Sequence, residues 1–504
     1  MFIFFNANIA MAACVASGMF SMADMAYDAS MINQLLLSEN FYEFFELTST
    51  WIGLNVAIVN VGNFIAGPFA GPLIDWLGRK KALFVSNILA IVGVIVQATA
   101  QSEGALLGGR FVLGLAFTIS GVAGPSLVAE TTPAKWHSLL TNCVVLGLPI
   151  CGSAIAAGSI GVYESKTDWG WRGAILGELG PPLISLICLP FVPESPRWLA
   201  YQGRVDEAKQ VIERMHSTND PNREAIVQLE YDQIVNTLEF EHHIEETGAS
   251  SWKSLVADPA DRRRFLIAVL TNIFFQISGS NTFPYFFTLL LGAAGVTDPK
   301  TTLFINLGLC IWGTFAVGFG LWVCERVGAK QSLMWNTSLM TLCLVLLAVL
   351  SGLSGRDTRY GKAAVAVIFI FQFASFSSWM ILTYTYPPQI LRFTQRARGF
   401  ALAQSLGYGF CIMMSYTLPL ALEHLAWRFY AINAAWNVGI VLVIWWLFVE
   451  IKGKTLEETD AVFDGRVHFE VSEDKTGTNI IEGVEPESDS SPRSDSMEAK
   501  RNKV

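Results

Sequence analysis

The sequence is poor in charged residues. Asp, Glu, Lys and Arg make up 15% of its 504 residues, whereas 52% are hydrophobic; soluble domains carry roughly 25% charged residues. This composition excludes an ordinary soluble protein and indicates a chain whose solvent is a lipid bilayer. No basic segment precedes the first apolar run, because the first charged residue is Asp24. That run is therefore predicted to be a retained helix rather than a cleaved signal peptide.

The chain also lacks the residue patterns of enzymes and metal proteins. Its eight cysteines lie inside apolar runs, with no CxxC pair and no neighbouring histidines, which is typical of small buried residues. We find no nucleophile–base pair, phosphate loop or metal-ligand cluster, and Gly109-Arg110 is no dinucleotide motif. We therefore expect no enzymatic activity, no cofactor, no metal site and no nucleic-acid partner.

Apolar runs of about 20 residues recur along the chain, and each is long enough to cross a bilayer as a helix that satisfies its own backbone. The sequence predicts an all-α membrane protein with twelve transmembrane helices in two six-helix bundles. The predicted spans are 1–26, 51–74, 82–101, 105–129, 138–161, 173–192, 265–292, 302–324, 331–353, 363–388, 399–421 and 430–449.

The polar segments define the domain boundaries. The predicted domains are an N-terminal bundle (1–192), a central loop (193–264), a C-terminal bundle (265–449) and an acidic, mostly disordered tail (450–504). Apolar residues recur at helical spacing over 203–217, and a second helix is predicted over 222–243; both are expected to lie on the surface. Basic residues concentrate in alternate loops, which predicts that both termini and the central loop are cytoplasmic.

Three loop patterns occur in both halves. GPLIDWLGRKKAL (71–83) is echoed by CERVGAKQSL (324–333), AETTPAKWHS (129–138) by PPQILRFTQRARG (387–399), and PESPRWL (193–199) by VEIKGKTLEE (449–458). With GRFVLG (109–114) and AYDASMIN (26–33), these motifs resemble the sugar porters of the major facilitator superfamily, especially fungal hexose and lactose permease-like members. The resemblance covers about residues 20–465 and implies two six-helix bundles with a substrate cavity between them.

Charged residues at the predicted cytoplasmic helix ends suggest a conformational latch, in which ion pairs bias the equilibrium between two states. Its predicted members are Asp75, Arg79, Glu130, Glu194 and Arg197 in the first half and Glu325, Arg396 and Glu450 in the second. The alternative is a set of positive-inside anchors. The second half departs from the family pattern, since Gly328-Ala329-Lys330 lacks the usual arginine pair and Gln389 replaces an acid. Likewise, His137 replaces an arginine in the first half. We therefore hypothesise a weakened inward latch.

Ionisable residues within membrane spans are costly and usually functional. The resemblance implies that Asp28 and Arg110 serve proton-coupled sugar uptake. An aspartate whose arginine partner alternates would bind and release a proton with it. The alternative is that Asp28 caps its helix in the outer headgroup region. Asp24, which the family does not share strongly, is predicted to have such a cap or surface role.

Span seven carries the pattern that implies sugar contact, with Gln276, Asn281 and Tyr285 around Gly279 and Pro284. Amide groups both donate and accept, as sugar hydroxyls require; the alternative role is hydrogen bonding between helices. The aromatic residue expected in span ten is Tyr384, with Trp379 as the alternative. Polar residues expected in other spans are replaced by three residues: Gly313, Gly152 and Cys411.

We therefore predict a plasma-membrane transporter that moves a hexose, pentose or disaccharide by alternating access, with protons as the coupling ion and lipid as its surroundings. Two alternatives stay open: a facilitated-diffusion uniporter and a nontransporting sugar sensor on the same fold. The usual mark of a sensor is a much longer tail than the roughly fifty residues after Glu450. The lost polar positions leave the substrate's identity open.

Overall fold

The computed structural model of the protein divides into two compact units, Met1–Gly453 and Lys454–Val504. It describes residues 7–35, 39–45, 49–132, 137–147, 150, 168–215, seven residues between 224 and 234, 255–280, 298–353, 358–425, 427–452, 463, 469–473 and 479–483.

The regular secondary structure of the first unit, in its described residues, is helical. Its helices are α1 (Ala7–Leu35), α2 (Glu39–Phe44), α3 (Ser49–Leu77), α4 (Arg79–Ala98), α5 (Glu103–Thr131), α6 (His137–Val145), α7 (Asp168–Gly177), α8 (Gly180–Cys188), which continues as a 3-10 turn (Leu189–Phe191), α9 (Pro196–Tyr201), α10 (Val205–Met215), α11 (Pro259–Ile277), α12 (Pro299–Val327), α13 (Ala329–Leu353), α14 (Thr358–Phe376), α15 (Trp379–Ile390), α16 (Phe393–Leu425) and α17 (Trp427–Leu447).

Nine helical stretches in the described part of the chain are long and apolar enough to cross a membrane. They coincide with nine of the twelve predicted spans. On the remaining three fall α6, α11 and α16. The first prediction is corrected at its end, because α1 continues to Leu35 rather than stopping at residue 26. This extension places Asp28 well inside the helix.

Two short strands belong to the second unit. They are β1 (Phe469–Glu473) and β2 (Asn479–Gly483), and they pair antiparallel with Phe469 opposite Gly483. Both lie within the stretch predicted to be a mostly disordered tail, so ten of its residues form a hairpin. The assignment of the whole tail stays a prediction.

Glycines let the helices of the first half approach closely. A Cβ atom on Gly114 of α5 would lie 2.1 Å from the Val59 carbonyl oxygen of α3, and one on Gly109 would lie 2.7 Å from the Gly93 carbonyl of α4. No side chain larger than hydrogen fits at such distances. Helix α5 is thereby held against both neighbours, with Arg110 directly after Gly109.

Helices α3 and α16 join the two halves. The Ser405 hydroxyl of α16 donates a 2.6 Å hydrogen bond to the Phe64 carbonyl of α3. An apolar cluster of Ala29, Val56, Leu418 and Phe429 lies along the same junction. The two halves therefore pack directly on each other along these helices.

The amphipathic helix predicted at 203–217 is confirmed as α10. Its buried residues are Ala208, Val211, Ile212 and Met215. Ile212 packs with Val227 and Ile234, which belong to the stretch predicted as the second surface helix. Hydrophobic burial on one face thus fixes this central segment.

The repeated loops of the sequence adopt the same geometry in both halves. Gly78 and Gly328, each directly before a long helix, have φ angles of 90° and 104°. A Cβ atom at Gly78 would lie 2.7 Å from Glu194 Oε2, and one at Gly328 would lie 2.5 Å from the carboxyl group of Glu450. Each loop therefore needs glycine for both its backbone angle and its space.

Gly78→Ala should destabilise the protein by about 1–3 kcal/mol, because it combines a left-handed backbone angle with a steric clash. Thermal unfolding of the purified protein in detergent measures this effect. The matched control is Gly108→Ala, since a Cβ atom there meets nothing within 4 Å. Equal melting temperatures for the two variants would contradict the assigned role of Gly78.

Candidate functional site

A buried ion pair lies at the centre of the first half. Arg110 Nη1 is 2.9 Å from Asp28 Oδ1, and Nη2 is 3.1 Å from Oδ2, so the guanidinium holds the carboxylate with two parallel bonds. Arg110 Nε also donates to the Asn55 carbonyl oxygen at 2.8 Å. Both charged side chains are buried. The structure thus pairs the two residues predicted for proton coupling, and Asp28 is no headgroup-region helix cap.

Two more carboxyl groups lie beside this pair. Asp24 is 2% exposed, and its Oδ1 has no hydrogen-bond partner within the described chain; the predicted surface or cap role for Asp24 is therefore wrong. Glu178, in the turn between α7 and α8, is fully buried, and neither of its oxygens has a partner among the described residues. It lies close enough to Asp24, Asp28 and Arg110 for their charges to interact.

Sequence reasoning missed Glu178, although a signal was present. The residue is a lone acid inside predicted span six, and ionisable residues in spans are usually functional. What the sequence did not show was that α1, α5 and the α7–α8 turn meet at one point. The described site therefore holds three carboxyl groups against one guanidinium.

The aromatic residue predicted from span ten lies at the junction of the halves. The Tyr384 hydroxyl is 3.6 Å from the sulfur of Met25 on α1, and the Tyr408 hydroxyl of α16 is 3.7 Å from the same sulfur. Met25 directly follows Asp24. Helix α1 thus carries two of the three acids, Asp24 and Asp28, together with the contact to the tyrosines of the second half.

Gln404 is a further polar residue that the sequence analysis missed. Its side chain is buried, and neither amide atom has a hydrogen-bond partner within the described part. A Cβ atom on Gly121 of α5 would lie 3.7 Å from Gln404 Oε1 and 4.0 Å from the ring of Tyr384. This places an unsatisfied amide and an aromatic ring side by side, where the second half faces the first.

The other predicted sugar contacts fall into two groups. Gln276 is buried near the end of α11, just before Gly279, whose φ angle of 96° breaks the helix. Asn281 and Tyr285 lie outside the described residues, as does Gly152. Of the three residues predicted in span seven, the structure describes only Gln276, and its contact with a sugar stays a prediction.

Trp379, the alternative aromatic residue, packs within the second half. It is fully buried, and its indole N–H donates a 3.0 Å hydrogen bond to the Thr337 hydroxyl of α13. Its polar atom is already satisfied by the protein. Its placement favours a helix-packing role for Trp379, so Tyr384 is the better candidate for the aromatic residue that contacts a sugar.

The described positions that lost an expected polar residue are filled by apolar packing or a weak contact. A Cβ atom on Gly313 would lie 2.8 Å from the ring of Phe376, so this ring occupies the space that an asparagine would need. The Cys411 sulfur is buried and lies 3.9 Å from the Ser415 hydroxyl. The second half is therefore less polar at these two points than the resemblance implies.

The predicted latch of the first half is assembled at one end of its helices. Arg79 contacts Glu130 (Nε to Oε2, 3.0 Å) and Asp75 (Nη1 to Oδ1, 3.8 Å), and the Ser195 hydroxyl donates to Glu130. Asp75 also pairs with Arg398 of the second half at 3.4 Å. This last contact, which the sequence did not predict, ties the two halves together at the predicted cytoplasmic end.

Glu194 and Glu450 act as matching helix caps. Glu194 Oε1 accepts the backbone N–H of Lys80 at 3.0 Å, in the first turn of α4. Glu450 accepts the backbone N–H groups of Ala329 at 3.0 Å and Gln331 at 3.3 Å, in the first turn of α13. A carboxylate at a helix N-terminus satisfies otherwise unpaired donors and complements the helix dipole.

Three further predicted latch residues lie near these helix ends. Arg197 and Arg396 are half-buried, and Glu325 is exposed near the end of α12. A latch role for these three stays a prediction.

The second half contains a buried acid–arginine pair that the sequence did not predict. Asp261, in the first turn of α11, is buried and pairs with Arg392 (Nε to Oδ1, 2.9 Å), and Gln395 donates to its Oδ2 at 3.3 Å. The sequence predicted a weaker latch because Gln389 stands where an acid is usual. The Asp261–Arg392 pair joins α11 to the segment before α16, and the weakened latch stays a hypothesis.

A sequence profile described as "Sugar (and other) transporter" matches residues 6–463. The chain belongs to the sugar transporter family of the major facilitator superfamily. Members of this family are transporters rather than enzymes, and their fold has twelve spans in two six-helix bundles. The protein is accordingly an integral multi-pass membrane protein.

Several curated members of the family are similar along most of their length. The MFS-type transporter criB of Aspergillus cristatus is 26% identical over 439 residues, which cover 87% of this chain and 90% of that protein. Hexose transporter HXT10 of Saccharomyces cerevisiae is 25% identical (87% and 82% covered), and a high-affinity glucose transporter of Kluyveromyces lactis is 25% identical (90% and 84% covered).

Solved structures of the xylose transporter XylE share the fold. The proton:xylose symporter bound to 6-bromo-6-deoxy-D-glucose gives a TM-score of 0.79 at 18% identity, covering 91% of this chain and all of the other. The inward-open conformation of XylE from E. coli gives 0.67 at 18% identity, with 90% and 98% covered.

Glu194→Ala should destabilise the protein by about 1–2 kcal/mol, because the first turn of α4 loses its cap. Glu194→Gln keeps an acceptor for the Lys80 N–H group and should cost less. Burial raises the pKa of the Glu194 carboxyl above its ordinary value of 4.5, against the lowering by the Lys80 and Ser195 backbone N–H groups and by Arg79. Its contribution to stability is therefore full below pH 4.5 and declines as pH rises through the raised value.

Thermal unfolding between pH 4 and 7 tests both effects, and Glu207→Gln is the control because Glu207 is exposed on the surface helix. Glu194→Gln should lack the decline that the wild type and the control share. Identical profiles in all three proteins would argue against the buried cap.

The Asp261–Arg392 pair should show a coupling energy of about 1–2 kcal/mol in a double-mutant cycle of Asp261→Asn and Arg392→Gln, because one partner is buried. Thermal or denaturant unfolding measures it. The exposed Arg204–Glu207 pair is the matched control and should show no measurable coupling. An Asp261–Arg392 coupling as small as the control's would mean that the pair does not stabilise the second half.

Proposed function

We propose that the protein moves a sugar across the plasma membrane by alternating access, driven by protons. The observation that carries this proposal is the buried Asp28–Arg110 pair with Glu178 beside it. The carboxyl groups of Asp28 and Glu178 change charge when they bind a proton, and they lie in the interior of the first half. Residues with a purely structural role at such positions would be expected to be apolar. The names of the yeast hexose and glucose transporters and of the proton:xylose symporter support the substrate class and the coupling ion.

The proposed coupling uses Arg110 as the element that changes partner. While Arg110 holds Asp28, that carboxylate stays ionised, because the guanidinium supplies the compensating charge. Glu178, which interacts electrostatically with Arg110, is the competing partner in this proposal. When Arg110 turns to Glu178, Asp28 loses its counter-ion and takes up a proton instead. Proton binding at Asp28 is thereby linked to the arrangement of α1 and α5.

The proposed sugar site lies where the second half faces these helices. Gln276, Asn281 and Tyr285 are its predicted polar residues in span seven, and Gln404 adds a buried amide without a described partner. Tyr384 supplies an apolar wall for the C–H face of a sugar ring. Since α1 touches Tyr384 through Met25, a change at the proton site is transmitted to the sugar site by a single helix.

A less polar small molecule is the second candidate substrate. Phe376 fills the space beside Gly313, and the position of Cys411 offers only a thiol. Two of the similar proteins, from Aspergillus cristatus and Aspergillus oryzae, are named only as MFS-type transporters, without a sugar. This alternative keeps the proton site and changes only what the cavity accepts.

Asp28→Asn should abolish concentrative uptake, because an amide oxygen keeps one hydrogen bond from Arg110 but the side chain cannot bind or release a proton. The expected result is that internal and external sugar concentrations become equal, with no dependence on external pH. The measurement is accumulation of labelled glucose, xylose and lactose by cells that lack their own sugar transporters, with external pH recorded. Glu207→Gln is the control and should behave as the wild type.

Each outcome assigns a function. Uptake with alkalinisation of the medium in the wild type supports symport, and uptake without it makes the protein a uniporter. Concentrative uptake by Asp28→Asn would rule out coupling through this residue. If a correctly inserted wild type takes up none of the sugars, two hypotheses remain: transport of a less polar substrate, or a nontransporting sensor.

A further inference from the structure

The proton site contains one acid more than the proposed exchange of Arg110 requires. Arg110 compensates one carboxylate, Asp28, in the observed arrangement. Asp24 and Glu178 are both buried next to it, and three of their four oxygens have no partner in the part of the chain that the structure describes. Two ionised and unpaired carboxylates in one buried site would cost many kcal/mol. The arrangement is therefore physically reasonable only with protons on Asp24 and Glu178.

Asp24 is a neighbour of Asp28 on α1. It lies four residues before Asp28 on α1, and side chains at that spacing are neighbours on one helix face, about 5–6 Å apart at Cβ. Both Asp24 and Asp28 lie near enough to Glu178 for electrostatic interaction, which is stronger for Asp28. The ionisable groups around it are thus Asp28 on its own helix, Arg110 on α5 and Glu178 at the α7–α8 turn.

The polar side chains one turn before Asp24 form hydrogen bonds with one another. One turn earlier on the same helix, Ser21 donates to Asn87 of α4 and pairs with Ser185 of α8. Asn87 in turn donates to Ser185. These three side chains satisfy one another, so a structural hydrogen-bond network already exists here and does not include Asp24.

We propose that Asp24 is a proton relay, protonated in the observed state, that passes a proton from Glu178 to Asp28 when Arg110 changes partner. This inference rests on the proposed function. In the relay, Glu178 gives up its proton as Arg110 pairs with it, Asp24 accepts that proton and releases its own, and Asp28 receives the latter. One O–H bond forms for each that breaks, and no net charge crosses the site.

The first test needs no substrate. Infrared difference spectra of the purified full-length protein, recorded during a pH titration, separate protonated carboxylic acids from carboxylates. The wild type should show a buried carboxylic acid signal, and Asp24→Asn should lose part of it. Asp24→Glu should restore a signal at a shifted position, and Glu207→Gln should leave the buried carboxylic acid signal unchanged. An unchanged signal in a folded Asp24→Asn protein, checked by its melting temperature, would overturn the proposal.

The second test measures coupling in proteoliposomes with labelled glucose, or with the sugar of the panel that the wild type accumulates. Asp24→Asn should lose accumulation driven by a pH gradient but keep sugar exchange at equal pH, and Asp24→Glu should recover accumulation. Accumulation by Asp24→Asn equal to that of the wild type would overturn the relay. A wild type that transports without proton coupling would overturn both the relay and symport, and the infrared signal would then show only a protonated Asp24.

Discussion

The buried pair between Arg110 and Asp28 is the interaction on which the first half depends. A guanidinium in the interior of a helix bundle is tolerated only when its charge and its N–H groups are both satisfied. Asp28 supplies the charge and two acceptors, and the Asn55 carbonyl supplies a third. The close packing of α5 against α3 and α4 through Gly109 and Gly114 fixes the geometry. The glycines near Arg110 are therefore needed for the geometry of the ion pair as well as for helix packing.

The two halves share a second constraint, at the ends of their helices. Glu194 and Glu450 cap α4 and α13 through backbone N–H groups, and a glycine with positive φ next to each makes room for the carboxyl group. Side-chain pairs differ between the halves, whereas these backbone contacts are repeated. The internal repeat therefore keeps the backbone contacts that fold each loop. The side-chain pairs that link one helix to another differ between the two halves.

Much of the fold could be predicted from hydrophobic run length, because a bilayer leaves few choices for an apolar segment of 20 residues. Asp28 and Arg110 were identifiable as partners through the motifs that carry them. The Asp261–Arg392 pair and the place of Glu178 were not, because both depend on helices far apart in the sequence that meet only after packing. The surface or cap role predicted for Asp24 is wrong for a local reason. The predicted first span ends at residue 26, just after Asp24, whereas α1 continues to Leu35.

Helix α1 connects the chemistry of the two halves. Its successive residues Asp24 and Met25 point in directions about 100° apart on a helix of 3.6 residues per turn. One interacts with the acids of the first half, and the other contacts Tyr384 and Tyr408 of the second. In the proposed function, a proton gained or lost by Asp24 or Asp28 shifts α1 and moves Met25 against the tyrosines. Proton binding in the first half would then be linked to the tyrosines of the second half through one turn of one helix.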